Sequence, residues 1–150
     1  MIDARSALLI DTNVLLRLMN PANEQHVICR EAVRNLQASD CRLCLTLQNA
    51  AKFWNASTRP QERNGLGLSV AETDRRLKRI EQIMTLLPDD ARVYAAWRDL
   101  VSANDVRGIQ VHDAKLAAAM IAHRVPHILT LNTKDFSRYS GIQAVHPANV

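Results

Sequence analysis

Aromatic residues are scarce in this 150-residue chain: two Trp, two Tyr and two Phe, 4% in all, which leaves little for a surface platform that stacks nucleobases. Glycine is sparser still, at four residues. No G-x-x-x-x-G-K or G-x-G-x-x-G loop is present to cradle a nucleotide's phosphates. Three cysteines, Cys29, Cys41 and Cys44, make an odd count that argues against a disulfide framework and for a reducing compartment. Long apolar runs are also missing. The polar Met1 to Ser6 leads into only four apolar residues, Ala7 to Ile10, short of a signal peptide's hydrophobic stretch, and nothing later approaches a membrane span. The expected location is the cytoplasm, with no membrane partner.

What is present is an ordinary globular composition, 47% hydrophobic and 23% charged, far from disordered or fibrous chains. A chain of this length buries one core, so residues 1–150 are expected to form a single domain. Lys and Arg number 19 against 15 Asp and Glu, a net charge of +4. That bias is compatible with a polyanionic partner but too mild to require one.

Hydrophobic patterning predicts an alternation of strands and helices. Ala7-Leu8-Leu9-Ile10 is an unbroken apolar run, as in a parallel strand covered on both faces. Helices are predicted over 12–19, stopped by Asn20-Pro21, and over 24–36, with Val27, Ile28, Ala32 and Leu36 apolar. Residues 41–46 return to strand. There Cys41 and Cys44, three apart, point to opposite faces and read as buried thiols, not as a metal pair. A third helix over 47–57 presents Leu47, Ala50, Ala51, Trp54 and Thr58, and 61–68 forms a loop around Asn64-Gly65. Ser69 and Glu72 make a capping box that opens a helix with Val70, Leu77, Ile80, Met84 and Leu87 on one face. Beyond Pro88-Asp89 a helix carries Tyr94, Trp97, Leu100 and Val101. From Asp113 to His123, Asp113, Leu116, Ala117, Met120 and Ile121 follow helical spacing. Residues 128–131 and 142–145 read as strands. The predicted fold is α/β, a mostly parallel sheet flanked by helices.

Ligands in such sheets bind beyond the carboxyl ends of the strands, near the reversal of strand order. Asp11 falls there, as do Asn132 and Asp135 after a later strand, while Asp113 opens the buried stripe of its helix. A cap or turn explains each acid singly. Three in one small domain look like a site for a hard cation, Mg²⁺ or Mn²⁺, which takes oxygen ligands. Such an ion serves phosphodiester hydrolysis by lowering the pKa of a bound water and screening phosphate charge. Competing chemistry is weak: no H-E-x-x-H occurs, and Pro126 splits His123 from His127. His112 reads as a surface or packing residue, although a base role stays open.

Leu9-Ile10-Asp11-Thr12-Asn13-Val14-Leu15 resembles the opening of PIN-domain ribonucleases. Val111-His112-Asp113-Ala114-Lys115-Leu116-Ala117 and Leu129-Thr130-Leu131-Asn132-Thr133-Lys134-Asp135-Phe136 are similar to later motifs of that family. The likeness continues through Gln48-Asn49, Phe53-Trp54-Asn55, Thr58-Arg59-Pro60 and Asn64-Gly65. Within the family it is nearest to VapC-type toxins of type II toxin–antitoxin pairs. The resemblance implies a PIN-like fold and a dimeric, Mg²⁺-dependent endoribonuclease acting on structured RNA such as transfer RNA, neutralised by a VapB-like antitoxin. Asp11, Asp113 and Asp135 are the expected catalytic and metal-holding residues. Thr12, Asn13 and Asn132 are expected to support them by hydrogen bonds, and Arg59, Arg63 and Lys134 are candidates for phosphate.

One position departs from that pattern. Four places after Gln48, where similar sequences carry an acid, this chain has Lys52. Its ammonium is expected to face the acids and pair with one of them, an attraction on the order of a few kcal/mol at intermediate dielectric. Weaker Mg²⁺ binding and low activity follow. Two other readings stay open: a PIN-fold module that grips RNA or antitoxin without catalysis, and a phosphatase or dehalogenase of the haloacid dehalogenase type. The last also places an Asp after its first strand, but Asn13 fits its second position poorly.

Overall fold

The computed structural model describes residues 2–150. Its centre is a sheet of five parallel strands: β1 (Ala7–Ile10), β2 (Arg42–Thr46), β3 (Thr85–Leu87), β4 (His127–Leu129) and β5 (Gln143–Val145), in the order β3-β2-β1-β4-β5. Six α-helices occur among the described residues: α1 (Thr12–Leu18), α2 (His26–Ala38), α3 (Leu47–Thr58), α4 (Val70–Ile83), α5 (Ala91–Ala103) and α6 (Val111–Ala122). The α/β class and the parallel sheet are as the sequence predicts.

β1 and the middle of β2 and β4 are apolar because both faces are covered there. Leu8, Ile10, Leu43, Leu45 and Leu129 enter one core with residues of α1 to α4. Leu9, Cys44 and Ile128, offset by one residue, enter the other with α6, and Trp97 and Leu100 of α5 pack against it. The same alternation separates Cys41 from Cys44 into different cores, and all three cysteines are free and buried.

Two expectations need correction. The helix opened by Ser69 does not run to Leu87: it stops at Ile83, and Thr85–Leu87 pair with Cys44, Leu45 and Thr46 as an edge strand. The apolar spacing of Met84 and Leu87 serves a helix face and a strand equally, and so short a strand leaves no periodicity to separate them. The buried face of α3 is also different, being Asn49, Phe53 and Ser57, while Leu47 is exposed. Asn49 is buried because it completes a capping box with Thr46, a use of polar atoms that hydrophobic counting overlooks. Likewise Val27 and Val70 lie exposed at the starts of α2 and α4.

The chain winds from β1 outward to β2 and β3, then returns across β1 to place β4 and β5 on the other side. Strand order therefore reverses between β1 and β4, whose carboxyl ends lie side by side, with Ile10 opposite Leu129. No helix among the described residues is long and apolar enough to cross a membrane.

Candidate active site at the strand-order reversal

Asp11 is the first residue after β1. Its Oδ1 accepts the Thr12 N–H at 2.8 Å, so it is the N-cap of α1. Its Oδ2 accepts from the Thr130 hydroxyl at 2.7 Å and from Asn13 Nδ2 at 3.3 Å. Thr130, fully buried just after β4, also accepts the Asn132 N–H at 3.1 Å. Asn13 Oδ1 accepts the Leu131 N–H at 3.2 Å, joining the turn after β1 to the turn after β4. Burial pushes the Asp11 carboxyl up; the Thr130 and Thr12 hydrogen bonds and the positive charge of Lys52 oppose that, and the negative charge of Asp135 adds to it.

Asp113 lies in the first turn of α6, half-buried, and Asp135 in a 3-10 turn, Thr133–Phe136, after β4. Neither helix nor turn has a side-chain cap bond, so a capping role accounts for Asp11 but for neither of these. Burial raises the Asp113 carboxyl, and the negative charges of Asp135 and Asp11 raise it further, against Lys52 and His112. The three acids thus share one end of the sheet closely enough to bear on one another. They do not form a closed cage: among the described residues no three His, Cys, Asp or Glu side chains stand close enough to hold one ion directly. The donor set suits a hydrated ion that keeps water ligands beside one or two carboxylates, which is the habit of Mg²⁺.

Lys52, exposed on α3, lies near enough for its positive charge to act on both Asp11 and Asp113. The expected direct pair is absent, as no ion pair among the described residues includes Lys52. Asn49, one turn earlier, aims this part of α3: its Nδ2 donates to Thr12 Oγ1 at 3.3 Å. Gln48 Nε2 donates to the His112 carbonyl at 2.9 Å, tying α3 to α6 beside Asp113.

Of the expected supporting residues, Asn13 touches Asp11 through its side chain, and Thr12 does so through its backbone N–H. Asn132 is exposed and joins the network only through its backbone. Sequence reasoning missed Thr130 and Asn49, although both stand inside quoted motifs; a polar residue at the end of an apolar strand was the available signal for Thr130. Arg59 is engaged in its own loop, donating to the Asn64 carbonyl at 3.1 Å, and Arg63 belongs to an exposed 3-10 turn, Gln61–Arg63. Lys134 instead lines an open cleft with Asp113 and Asp135.

Fold and site together define a parallel α/β protein with carboxylates gathered at the reversal of strand order. The chain belongs to the PIN domain family, which it matches over residues 8–142. It is 39% identical over 69 residues to a Ribonuclease VapC of Rickettsia bellii (strain RML369-C), a match covering 44% of this chain and half the length of that relative. The fold is similar to that of VapBC2 from Rickettsia felis, solved bound to a DNA fragment from its promoter (TM-score 0.70, 14% identity, 93% of this chain and 98% of that one). It is also similar to VapBC-1 from nontypeable Haemophilus influenzae (TM-score 0.67, 13% identity, 94% and 98% covered). Mycobacterium tuberculosis VapC20, described as a sarcin–ricin loop cleaving toxin, shares it as well (TM-score 0.61, 16% identity, 91% and 98% covered).

Proposed function

We propose that this chain is a metal-dependent endoribonuclease of the VapC toxin kind, working on RNA and restrained by a VapB-like antitoxin. The observation that carries the reading is the gathering of Asp11, Asp113 and Asp135 at one end of the sheet, two of them with carboxyl pKa values raised by burial and by neighbouring negative charge. Like charges held together in this way call for a cation. The relatives support the substrate and partner: one is named a ribonuclease, one a sarcin–ricin loop cleaving toxin, and one, from Klebsiella pneumoniae, a toxin–antitoxin complex. Transfer RNA is among the structured RNAs that fit, and a homodimer is the proposed assembly.

Asp113 and Asp11, with Asp135 through water, would hold Mg²⁺ or Mn²⁺. When bound, that ion would supply a water of lowered pKa and screen the phosphate's charge. The chain's own part is positional. Thr130, Asn13 and the Thr12 N–H fix the Asp11 carboxylate, and Gln48 holds α3 against the turn that carries Asp113. Lys52 works against the ion by supplying a competing positive charge to the same two acids, so Mg²⁺ affinity and turnover are proposed to be low. That charge also favours a second reading, a PIN-fold module that grips RNA or antitoxin without cutting.

Cleavage of a structured RNA in a Mg²⁺ and Mn²⁺ titration, with the parent chain, Lys52→Glu and Lys52→Glu/Asp113→Asn at equal concentration, tests the proposal. The expected result is a clear gain in Lys52→Glu that Asp113→Asn abolishes. Equal rates in parent and Lys52→Glu would remove Lys52 from the account. RNA binding with no cleavage by either favours the binding module.

A further inference from the structure

Beside the acids lies an open cleft of about 320 Å³, bounded by Gln110 and Asp113 at the start of α6 and by Lys134, Asp135, Arg138 and Tyr139 after β4. Its second wall is well anchored. Phe136 and Tyr139, 1% and 3% exposed, are sunk into the core under α6. Between and before them, Lys134, Asp135 and Arg138 remain exposed. Backbone bonds from Asp135 to Asn132, Ser137 to Lys134 and Tyr139 to Phe136 fasten the segment, as does the Ser137 hydroxyl on the Lys134 carbonyl at 2.9 Å. Two cations are thus presented from a fixed turn.

Neither cation is spent on a protein carboxylate. The ion pairs among the described residues lie elsewhere, on Glu31, Glu72, Asp74, Asp89, Asp90 and Asp105. Yet Lys134 and Arg138 line the same cleft as Asp113 and Asp135. A site that offers acids on one side and unspent cations on the other suits a polyanion threaded past a metal-holding centre. The cations offset the repulsion that the acids impose on a phosphate before any ion is bound. The Tyr139 ring is buried, so it cannot stack a base. The contact available is to phosphate and sugar, which positions a strand without reading its sequence.

We propose that this cleft is the substrate-strand subsite, in which Arg138 and Lys134 hold the backbone phosphate next to the linkage to be cut. The planar Arg138 guanidinium suits a two-point grip on phosphate, and Lys134 acts as a point charge. The Tyr139 hydroxyl donates to the same stretch of backbone. This rests on the ribonuclease reading above and assigns that site its grip on RNA.

The test is fluorescence anisotropy of a labelled single-stranded RNA of mixed sequence, with the full chain in EDTA, across a series of NaCl concentrations. Arg138→Ala and Lys134→Ala are each expected to weaken binding about tenfold, the scale of a lost charge-assisted hydrogen bond. Each should also lower the slope of log affinity against log salt by about 0.7, the value for one phosphate on a single strand. Tyr139→Phe, which keeps the buried ring, should lose affinity with no change of slope. Arg98→Ala, on the exposed face of α5, should match the parent. Unchanged affinity and slope in folded Arg138→Ala and Lys134→Ala would overturn the subsite, as would an equal loss in Arg98→Ala. The two readings fail separately: cleavage by Lys52→Glu with undiminished RNA binding by Arg138→Ala sinks the cleft alone, whereas a parent chain that binds no RNA sinks both.

Discussion

Thr130 shows how much one hydroxyl carries. It donates to Asp11 Oδ2 and accepts from the Asn132 N–H, from full burial. Thr130→Val keeps the shape, removes the donor and leaves a mostly buried carboxylate short of a partner. The expected cost is roughly 1–3 kcal/mol, read as a lower urea midpoint with unchanged slope; an unaltered midpoint would show that Asp11 does not need the bond. His127 supplies a pH dependence. Its Nδ1 is buried without a partner, and burial holds the imidazole below its ordinary value of 6.5. The unfolded chain therefore takes up the proton first as pH falls. The stability this group allows is complete above about 6.5 and is lost as pH drops below it. His127→Gln should melt increasingly favourably relative to the parent between pH 7 and 5.5, and a constant difference across that range would contradict the assignment. At this scale the placement of Asp11 at a strand end and of Asp113 in the first turn of α6 was legible, because acids ending or opening apolar stripes stand out. Thr130 was not, since threonine in a strand is commonplace.

The elements carry a different lesson. Long segments with strong periodicity, α2 and α6, fall near their predicted bounds, and α5 starts just beyond Pro88-Asp89 as predicted. The three-residue β3 was hidden because Thr85-Leu86-Leu87 continues an apolar spacing begun by α4, and its pairing with β2 is a long-range fact. In α3 the buried positions follow from a cap and from contact with α1, neither of which hydropathy records. The turn after α3 depends on Gly65, where a Cβ would overlap the Arg59 carbonyl, a backbone group that cannot swing aside. Gly65→Ala should cost about 3 kcal/mol, as over-packing does, lowering Tm by roughly 6–12 °C in calorimetry. A shift under a degree would mean that the loop relaxes freely. The same loop holds the Arg59 guanidinium on the Asn64 carbonyl.

Across the whole molecule, one topological event makes the site. Because the chain leaves β1 for β2 and later returns to set β4 on the other side, residues 11 and 135, far apart in sequence, emerge at adjoining strand ends. The alternation of strand and helix made that class of fold readable in advance, and the apolar run before Asp11 made its place at a strand's carboxyl end readable too. What could not be read was distance. The acids share an electrostatic environment without forming a three-carboxylate cage, and Lys52 lies near them without a direct pair. In the proposed reading a charge so placed competes with any ion the acids hold. The most direct measurement is Mn²⁺ binding followed by electron paramagnetic resonance in the parent, Lys52→Glu and Lys52→Glu/Asp113→Asn. Removing the competing charge should tighten binding at least about tenfold, a modest share of the Coulomb energy between close charges, and Asp113→Asn should undo the gain. Identical Mn²⁺ affinity in all three proteins would contradict a shared carboxylate site opposed by Lys52.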